Sequence, residues 1–287
     1  MNCNLCPRKC GVDREKSIGY CGGGTDASVA YTMLHHWEEP CISGVYGSGT
    51  VFFSGCQLKC VYCQNKKISR SVSGRTVTTD ELADIFLSLE EKGAHNVNLV
   101  TPDHYIMPIA EAIEKARDRG LSVPIVYNTS GYVTPEALRY IGRYIDIYLT
   151  DFKYMSSSLA EKYSSAPDYP ESAKAALAEM VKLQPECVYD ENGMMKKGVI
   201  VRHLIIPGQT ADSKEIIKYL YDTYGDSIVI SIMNQFTPVD LEDHPEINRR
   251  LTTLEYDRVV NYALSLGIKN AYTQEKGTAK ESFIPDF

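Results

Sequence analysis

The sequence has few features that would place the protein in a membrane or on a nucleic acid. Its longest stretch without a charged residue or histidine, residues 40–58, carries four glycines and three serines, so it is not the continuous apolar run that a membrane span needs. The N-terminus MNCNLCPRKC has no apolar core of a secretory signal. A net charge of −7 provides no general basic field for nucleic acid. We therefore expect a soluble, cytoplasmic protein that binds no membrane and has no general basic surface for nucleic acid, although a local basic patch stays open.

Several common catalytic motifs are also missing. The chain contains no G-x-S-x-G, no Walker A loop and no H-E-x-x-H, which removes the usual signatures of α/β-hydrolases, P-loop NTPases and zinc metalloproteases. No pair of residues stands out for acid–base catalysis, and we assign no catalytic residue. The composition, with 44% hydrophobic and 23% charged residues, is that of a globular protein. A length of 287 residues suits two domains or a single barrel.

The first part of the chain differs from the rest in composition. Residues 1–48 are rich in cysteine and glycine and show no helical periodicity, although the alternating run 29–33 suggests a short strand. From Gly49 onward, apolar runs and amphipathic segments follow one another regularly. We therefore predict two units: a Cys-rich N-terminal metal-binding module over residues 1–48, and a larger domain over residues 49–287.

Six strands, each followed by a helix, are predicted in the larger unit. The strands lie at residues 51–53, 96–101, 123–127, 145–150, 199–206 and 228–233. Three of the helices begin with recognisable caps: a Thr78–Glu81 capping box, a Thr134-Pro135 start, and Asp212 with Glu215 three residues on. Such alternation requires a parallel sheet covered by helices. The fold class is therefore α/β, interpreted as a partial (β/α)6 TIM-type barrel, with a doubly wound open sheet as the alternative.

The loop after the first of these strands carries the most specific signal. Cys56, Cys60 and Cys63 are spaced C-x3-C-x2-C, and in a chain without an export signal such a group indicates metal rather than disulfides. Three thiolates can hold a four-iron cluster and leave one iron open to a small molecule. The alternative is zinc bound by the three cysteines and a distant histidine.

A second group of cysteines lies near the N-terminus: Cys3, Cys6, Cys10 and Cys21. Four thiolates can close a tetrahedral zinc site or hold a second iron–sulfur cluster, and both interpretations stay open. Uncoordinated surface cysteines are the third alternative. The nearby His35 and His36 are interpreted as structural, and Cys41 and Cys187 as small buried apolar residues.

Polar residues recur where the predicted strands end, which is where α/β folds place their chemistry. For a single polar residue a turn role is as good an explanation, so the evidence is their joint placement. The candidates outside the cysteine loop are Asn98, Thr101, Asn128, Ser130, Asp151, Lys153, Arg202, His203, Asn234 and Gln235.

With Tyr62 before the third cysteine, the loop SGCQLKCVYCQN resembles the signature of the radical S-adenosylmethionine (SAM) superfamily, and in particular the branch related to pyruvate formate-lyase activating enzymes. The resemblance covers Gly49–Gly267 and extends to the N-terminal cysteine segment. It implies a [4Fe–4S] cluster on Cys56, Cys60 and Cys63, with SAM chelating the fourth iron. It also implies a 5′-deoxyadenosyl radical that removes a hydrogen atom from a substrate.

The resemblance also suggests how SAM is held. Tyr62 would contact the adenine, the segment from Asn128 to Ser130 the ribose and carboxylate, and Asp151 and Lys153 match an Asp-Leu-Lys of the activating enzymes. The remaining pairs, Arg202-His203 and Asn234-Gln235, would face SAM or the substrate. The family's usual Gly-Gly-Glu is absent, and Asn98–Pro102 takes its place. We expect Asn98, Thr101 or the backbone there to receive the SAM amino group.

Three functions remain as alternatives at this point. The first is an activating enzyme that places a glycyl radical on a partner enzyme, and the second is radical SAM modification of a peptide, an RNA base or a small metabolite. Both would draw electrons from a flavodoxin- or ferredoxin-type donor. The third is a non-catalytic iron–sulfur electron carrier or zinc-stabilised binding protein, although neither needs a barrel with polar strand ends.

Overall fold

Strands and helices alternate along the computed structural model, which describes residues 3–71 and 73–274. Its strands are β1 Ala27–His35, β2 Ser48–Phe53, β3 Arg75–Val77, β4 Val97–Val100, β5 Ile125–Thr129, β6 Ile147–Asp151, β7 Val188–Tyr189, β8 Met195–Leu204, β9 Val229–Met233 and β10 Ala271–Thr273. Its helices are α1 Pro40–Ser43, α2 Lys66–Arg70, α3 Thr79–Glu91, α4 Ile106–Asp118, α5 Pro135–Ile141, α6 Ser157–Ser164, α7 Tyr169–Leu183, α8 Thr210–Tyr224 and α9 Thr253–Ser265.

The strands form one open sheet in the order β10-β9-β8-β6-β5-β4-β2-β1-β3, and β7 pairs with β8 outside this series. All pairings from β2 through β10 along this path are parallel, whereas β1 runs antiparallel to β2 and to β3. The six predicted strand–helix units are confirmed as β2, β4, β5, β6, β8 and β9 with the helices that follow them. The sheet does not close, as expected of a partial barrel.

Local sequence explains where most helices begin. The predicted capping box is present at α3, where Thr78 Oγ1 accepts from the Glu81 amide and the Glu81 carboxylate accepts from the Thr78 amide. The Thr134 cap of α5 is also confirmed. The sequence suggested Asp212 as the cap of α8, and this is wrong. The helix starts at Thr210, and the Asp212 carboxylate accepts from the amides of Met155 and Ser156.

The lower half of the barrel is filled by apolar side chains. Alternate residues of the parallel strands point inward, and they enclose α1, whose Cys41 and Ile42 are buried among them. The strand residues of this cluster are Val126, Ile147, Leu149, Met195, Ile200 and Val229. We call residues 36–44 the plug, because they close the barrel interior beneath the strand ends.

The N-terminal part of the chain contributes directly to the sheet. Residues 3–26 contain no helix and no strand, but β1 pairs with β2 from Val29 to His35. The boundary between residues 1–48 and 49–287 stays a prediction, since β1 of the first unit extends the sheet of the second. Among the described residues, every helix is too short or too polar to cross a lipid bilayer.

Candidate active site

A cavity of about 550 Å3 lies where the parallel strands end, a volume typical of small-molecule sites. Each of the strands β2, β4, β5, β6, β8, β9 and β10 contributes to its wall. Most of the candidate residues named from the sequence line it: Cys56, Cys60, Tyr62, Cys63, Thr101, Asn128, Ser130, Asp151, Lys153, Arg202 and Gln235. The strand ends therefore bring together in one cavity residues that lie far apart in the chain.

The cysteine loop leaves β2 through Gly55, whose φ of +87° suits glycine. The Leu58 amide donates to Cys56 Sγ at 3.4 Å, and Ser164 Oγ donates to Cys60 Sγ at 3.0 Å. Cys63 Sγ lies 3.4 Å from Ser69 Oγ. Hydrogen bonds to sulfur of this kind stabilise thiolates and tune the metal centres they bind.

These three thiols suit an iron–sulfur cluster. Burial raises the pKa of Cys56 and of Cys60, and the neighbouring thiols raise it further. Bound iron would supply the positive charge that converts them to thiolates. Among the residues the structure describes, no three His, Cys, Asp or Glu side chains are placed to share one metal ion. The ligands of an iron–sulfur cluster are spaced differently from those of a single ion, because each cysteine ligates a different iron.

Tyr62 lies beside the cavity with its hydroxyl already engaged. Its hydroxyl is 2.7 Å from that of Tyr154, which is 2.7 Å from Ser164 Oγ, and Ser164 in turn donates to Cys60 Sγ. The Tyr62 ring packs against Phe236 with 5.6 Å between ring centroids. This chain of hydroxyls fixes the part of the loop from Cys60 to Tyr62 relative to α6.

The wall opposite the cysteines is a buried network of charges centred on Arg202. Its guanidinium donates to Asp151 Oδ1 and Glu38 Oε2, both at 3.1 Å, and to Asn128 Oδ1 at 2.6 Å. Lys153 Nζ donates to Asp151 Oδ2 at 2.6 Å. Each charge thus has an opposite charge beside it, as burial requires.

These contacts keep the network ionised despite burial. Burial alone would raise the pKa of Asp151, but Lys153 and Arg202 hold it below its usual range. The pKa of Glu38 is also lowered, since the contact with His35 Nδ1 at 3.5 Å and the charge of Arg202 outweigh burial. Burial disfavours the charge on Arg202, yet Asp151 and Glu38 raise the pKa of its guanidinium. The wall therefore offers fixed charges to any molecule in the cavity.

Thr101 occupies an unusual backbone position at the end of β4. Its φ is +58°, a left-handed conformation that is costly for a β-branched residue. Its amide donates to the Asn128 carbonyl at 2.9 Å, which ties the ends of β4 and β5 together. Nearby, Gln57 Nε2 donates to Asp103 at 2.7 Å and lies 3.4 Å from Ser130 Oγ. Thr101 and Ser130 thus border the cavity next to the cysteine loop.

Comparison with known proteins identifies the family. The model of the radical SAM superfamily matches residues 50–220, more than half of the chain. The chain belongs to the radical SAM superfamily. The match begins in β2 and includes the cysteine loop and the ends of β4, β5, β6 and β8. The resemblance seen in the cysteine motif is thereby confirmed at the level of the superfamily.

Three individual proteins are similar to this radical SAM protein. An uncharacterized protein of Methanocaldococcus jannaschii is 29% identical over 272 residues, covering 91% of this chain and 74% of the relative. The structure of Streptococcus suis SuiB bound to SAM has a TM-score of 0.52 at 13% identity, covering 77% of this chain. A domain of a pyruvate-formate lyase-activating enzyme from Bacteroides vulgatus has a TM-score of 0.42 at 13% identity, covering 58% of this chain and 89% of that domain.

The likeness to SuiB concerns the fold. This radical SAM protein spans about half of SuiB, with 48% of that chain covered.

Three candidates from the sequence do not line the cavity of this radical SAM protein. His203 is adjacent to Arg202 in β8 and points to the other side of the sheet, where it bonds the Phe152 carbonyl and Ser213 Oγ of α8. Asn98 lies beneath the cavity and donates to Glu38 at 3.1 Å. The backbone of Asn234 donates to Gln274 Oε1. Successive strand residues face opposite sides, so a pair such as Arg202-His203 could not both have pointed inward.

Two acidic residues of the cavity were missed by the sequence argument. Glu38 and Glu39 belong to the plug, which enters the barrel from below, and both line the cavity. Glu38 binds Arg202, whereas Glu39 is 7% exposed and its Oε2 has no hydrogen-bond partner among the described residues. Burial raises the pKa of Glu39. The run HHWEEP after a strand, with two adjacent acids before a helix-starting proline, was the available signal.

The N-terminal cysteines lie outside the cavity, behind the cysteine loop. Cys3 and Cys21 are buried, Cys6 is half-buried and Cys10 is exposed. A Cβ on Gly19 would lie 3.4 Å from Cys21 Sγ and 3.5 Å from Cys10 Sγ, and Cys6 and Cys10 are each near enough to Cys3 to interact with it. The structure therefore brings together the four cysteines that the sequence grouped.

Proposed function

We propose that this protein is a radical SAM enzyme with a [4Fe–4S] cluster bound by Cys56, Cys60 and Cys63. When bound, the cluster would supply the electron that cleaves SAM to methionine and a 5′-deoxyadenosyl radical, which takes a hydrogen atom from the substrate. The observation that carries the proposal is the position of the three thiols. They line a 550 Å3 cavity at the strand ends, facing a wall of fixed charges.

The residues of the cavity suit the parts of SAM. The backbone and hydroxyl of Thr101 offer acceptors for the SAM amino group, and Ser130 and Asn128 offer hydrogen bonds to the carboxylate and ribose. Lys153 and Arg202 are held in place by Asp151, so they can receive an anionic group with little reorganisation. Arranging these groups before binding positions the reacting atoms, and burial keeps water away from them.

The substrate belongs to one of two classes. Activation of a glycyl radical enzyme requires a protein partner whose glycine reaches the cavity, whereas a peptide, an RNA base or a small metabolite would enter the cavity itself. The buried carboxyl of Glu39, with Oε2 unpartnered, favours the second class, because it offers a hydrogen-bonding position that no described side chain fills. An electron carrier is disfavoured, since it needs no cavity of this size.

The setting of the reaction follows from its chemistry. Cleavage of SAM needs one electron, and we propose a flavodoxin- or ferredoxin-type protein as the donor. All nine cysteines are free, which fits a reducing compartment and our proposal of a cytoplasmic enzyme. We also propose a second metal site at the N-terminus, on Cys3, Cys6, Cys10 and Cys21.

Anaerobic reconstitution with iron and sulfide tests the proposal. The reduced protein should form 5′-deoxyadenosine and methionine from SAM, measured by chromatography, and should show the spectrum of a reduced iron–sulfur cluster. Cys56→Ala should abolish both. Cys187→Ala is the matched control, because Cys187 lies against β8, outside the cavity, and its replacement should leave both unchanged. A wild-type protein that forms a cluster but never cleaves SAM would contradict the proposal.

A further inference from the structure

The N-terminal segment lies directly against the loop that carries the catalytic cysteines. The Cys56 amide donates to the Cys21 carbonyl at 3.0 Å, and Arg8 Nε donates to the Gln57 carbonyl at 3.1 Å. A Cβ on Gly55 would stand 2.3 Å from the Cys21 carbonyl oxygen, so the two backbones are in contact with no room between them. The position of Cys21 therefore fixes the position of the loop at Cys56.

A second connection runs through Arg14 and His104. The Arg14 guanidinium donates to the carbonyls of His104 and Gly24 and to Cys21 Sγ. The His104 ring in turn bonds the Ser54 carbonyl at 2.8 Å. Residues on both sides of Cys56 are thus held by the N-terminal segment, directly at Gln57 and through His104 at Ser54.

Three of the four N-terminal cysteines share a local geometry with Cys56. In each of Cys6, Cys10 and Cys21, the thiol accepts a hydrogen bond from the amide two residues later. Cys56 receives the same bond from Leu58. Turns of this kind point backbone amides at sulfur and favour the thiolate, the form that binds metal. These bonds suit Cys6, Cys10 and Cys21 as thiolate ligands. Because no three of the described thiols are placed to share a single ion, a cluster with one iron per thiol suits the group better than zinc.

Turn hydrogen bonds, such as that from the Cys3 amide to the Val12 carbonyl, and the contacts of Arg8 and Arg14 hold the segment in place of regular secondary structure. Residues 3–26 form no helix and no strand, so few backbone hydrogen bonds of regular structure stabilise them. In such segments, metal binding supplies a large part of the folding free energy. A metal bound by the four thiolates would fix Cys21, and through Cys21 the loop at Cys56.

We propose that Cys3, Cys6, Cys10 and Cys21 bind one all-thiolate metal centre, and that this centre holds the Cys56 loop in the conformation that accepts the catalytic cluster. The coupling rests on the proposed function of the Cys56 loop. The coupling is reciprocal, but β2 and α2 hold the loop even without a cluster, so loss of the catalytic cluster should leave the N-terminal centre in place.

The test compares metal content, cluster spectrum and SAM binding in the full-length protein, purified without oxygen. The wild type should hold metal beyond the iron of one [4Fe–4S] cluster, and zinc and iron analyses distinguish a zinc ion from a second cluster. Cys10→Ser, at an exposed thiol, should lose this extra metal and weaken SAM binding at least about tenfold. Cys60→Ala should lose the catalytic cluster and keep the extra metal. Cys187→Ser, outside both sites, should match the wild type.

A further variant tests the contact itself. Arg8→Gln leaves all four thiols in place, and it should retain the extra metal while weakening SAM binding, because the bond to the Gln57 carbonyl is lost. The inference is overturned if the wild type holds no extra metal, or if Cys10→Ser loses it with an unchanged cluster spectrum and SAM affinity. If Cys60→Ala changes neither iron content nor SAM binding, the proposed function fails instead.

Discussion

Arg202 and His203 are neighbours in β8, yet they belong to different regions of the molecule. Arg202 points into the barrel and joins Glu38, Asp151 and Asn128 in a network of charges. His203 points outward and is sealed between β8 and α8 as a neutral ring, with burial lowering its pKa to about 4. The inner face lines the cavity and the outer face packs against helices, although polar residues occur on both.

The same division separates Asn128 from Tyr127 in β5. Asn128 lines the cavity, whereas the Tyr127 hydroxyl donates to the buried Asp103. The Tyr127 hydroxyl and the His203 ring are thus satisfied within the protein on the outer face. Asn128, Lys153 and Arg202 instead line the cavity, where a ligand can reach them. Substitutions on the two faces should therefore change different measured quantities.

Arg202→Met should have the largest effect. It leaves Glu38 and Asp151 buried without their shared cation, which should cost about 3–5 kcal/mol of unfolding free energy and abolish SAM binding. Adding Glu38→Gln to Arg202→Met should recover part of the lost stability, because one uncompensated charge is removed. Urea unfolding of the two variants checks this. Equal stability of Arg202→Met and wild type would show that the network carries little energy.

Asn128→Ala should weaken SAM binding by about 1–3 kcal/mol, the cost of losing one buried polar partner. Tyr127→Phe is the matched change on the outer face. It should lower stability through Asp103 and leave the SAM dissociation constant unchanged. Isothermal titration of SAM into the two reconstituted variants measures their dissociation constants, and urea unfolding measures their stability. If the two variants shift the dissociation constant equally, the two faces are not functionally distinct.

His203 should make stability depend on pH. Its folded pKa of about 4 lies below the usual 6.5, so below pH 6.5 the unfolded chain binds the proton first. The contribution of the neutral ring is complete above pH 6.5 and decreases as the pH falls toward 4. Between pH 6.5 and 5, the unfolding free energy of His203→Gln should fall by about 2 kcal/mol less than that of the wild type, as measured by urea unfolding at each pH. Parallel losses in the two proteins would contradict this assignment.

Thr101→Gly should have the smallest effect on stability, and it should raise the unfolding free energy rather than lower it. Glycine adopts a φ of +58° without a Cβ clash, so thermal unfolding should show a gain of about 1 kcal/mol. SAM binding should weaken, because the hydroxyl is lost and the backbone is less fixed. A variant that loses stability would show that Thr101 makes contacts worth more than its backbone strain.

The fold was largely predictable because its signals are local. Apolar runs, the caps at Thr78 and Thr134 and the alternation of strands with helices each depend on a few adjacent residues. The antiparallel pairing of β1 with β2 was not predicted, since pairing partners leave no local trace. Helix α6 was missed because it is short and mainly polar.

The site was predictable only in part. Strand ends indicated Asn128, Asp151 and Arg202, which do line the cavity. Inward and outward positions could not be separated where a strand's register was unknown, and this is how His203 was included. Glu38 and Glu39 were missed because they belong to the plug, and the sequence argument considered only residues at the ends of the six predicted parallel strands. Whether the lining residues bind SAM stays a prediction.

The contact between Cys21 and Cys56 also has a consequence for synthesis on the ribosome. The N-terminal cysteines are made first, but they dock on residues 54–57 and on His104. About 80 residues separate Cys21 from His104, which takes roughly 4–16 s at ~5–20 residues per second. During that interval four thiols are present on a chain whose docking surface has not yet been made. A metal acquired then would be in place before the barrel that it supports.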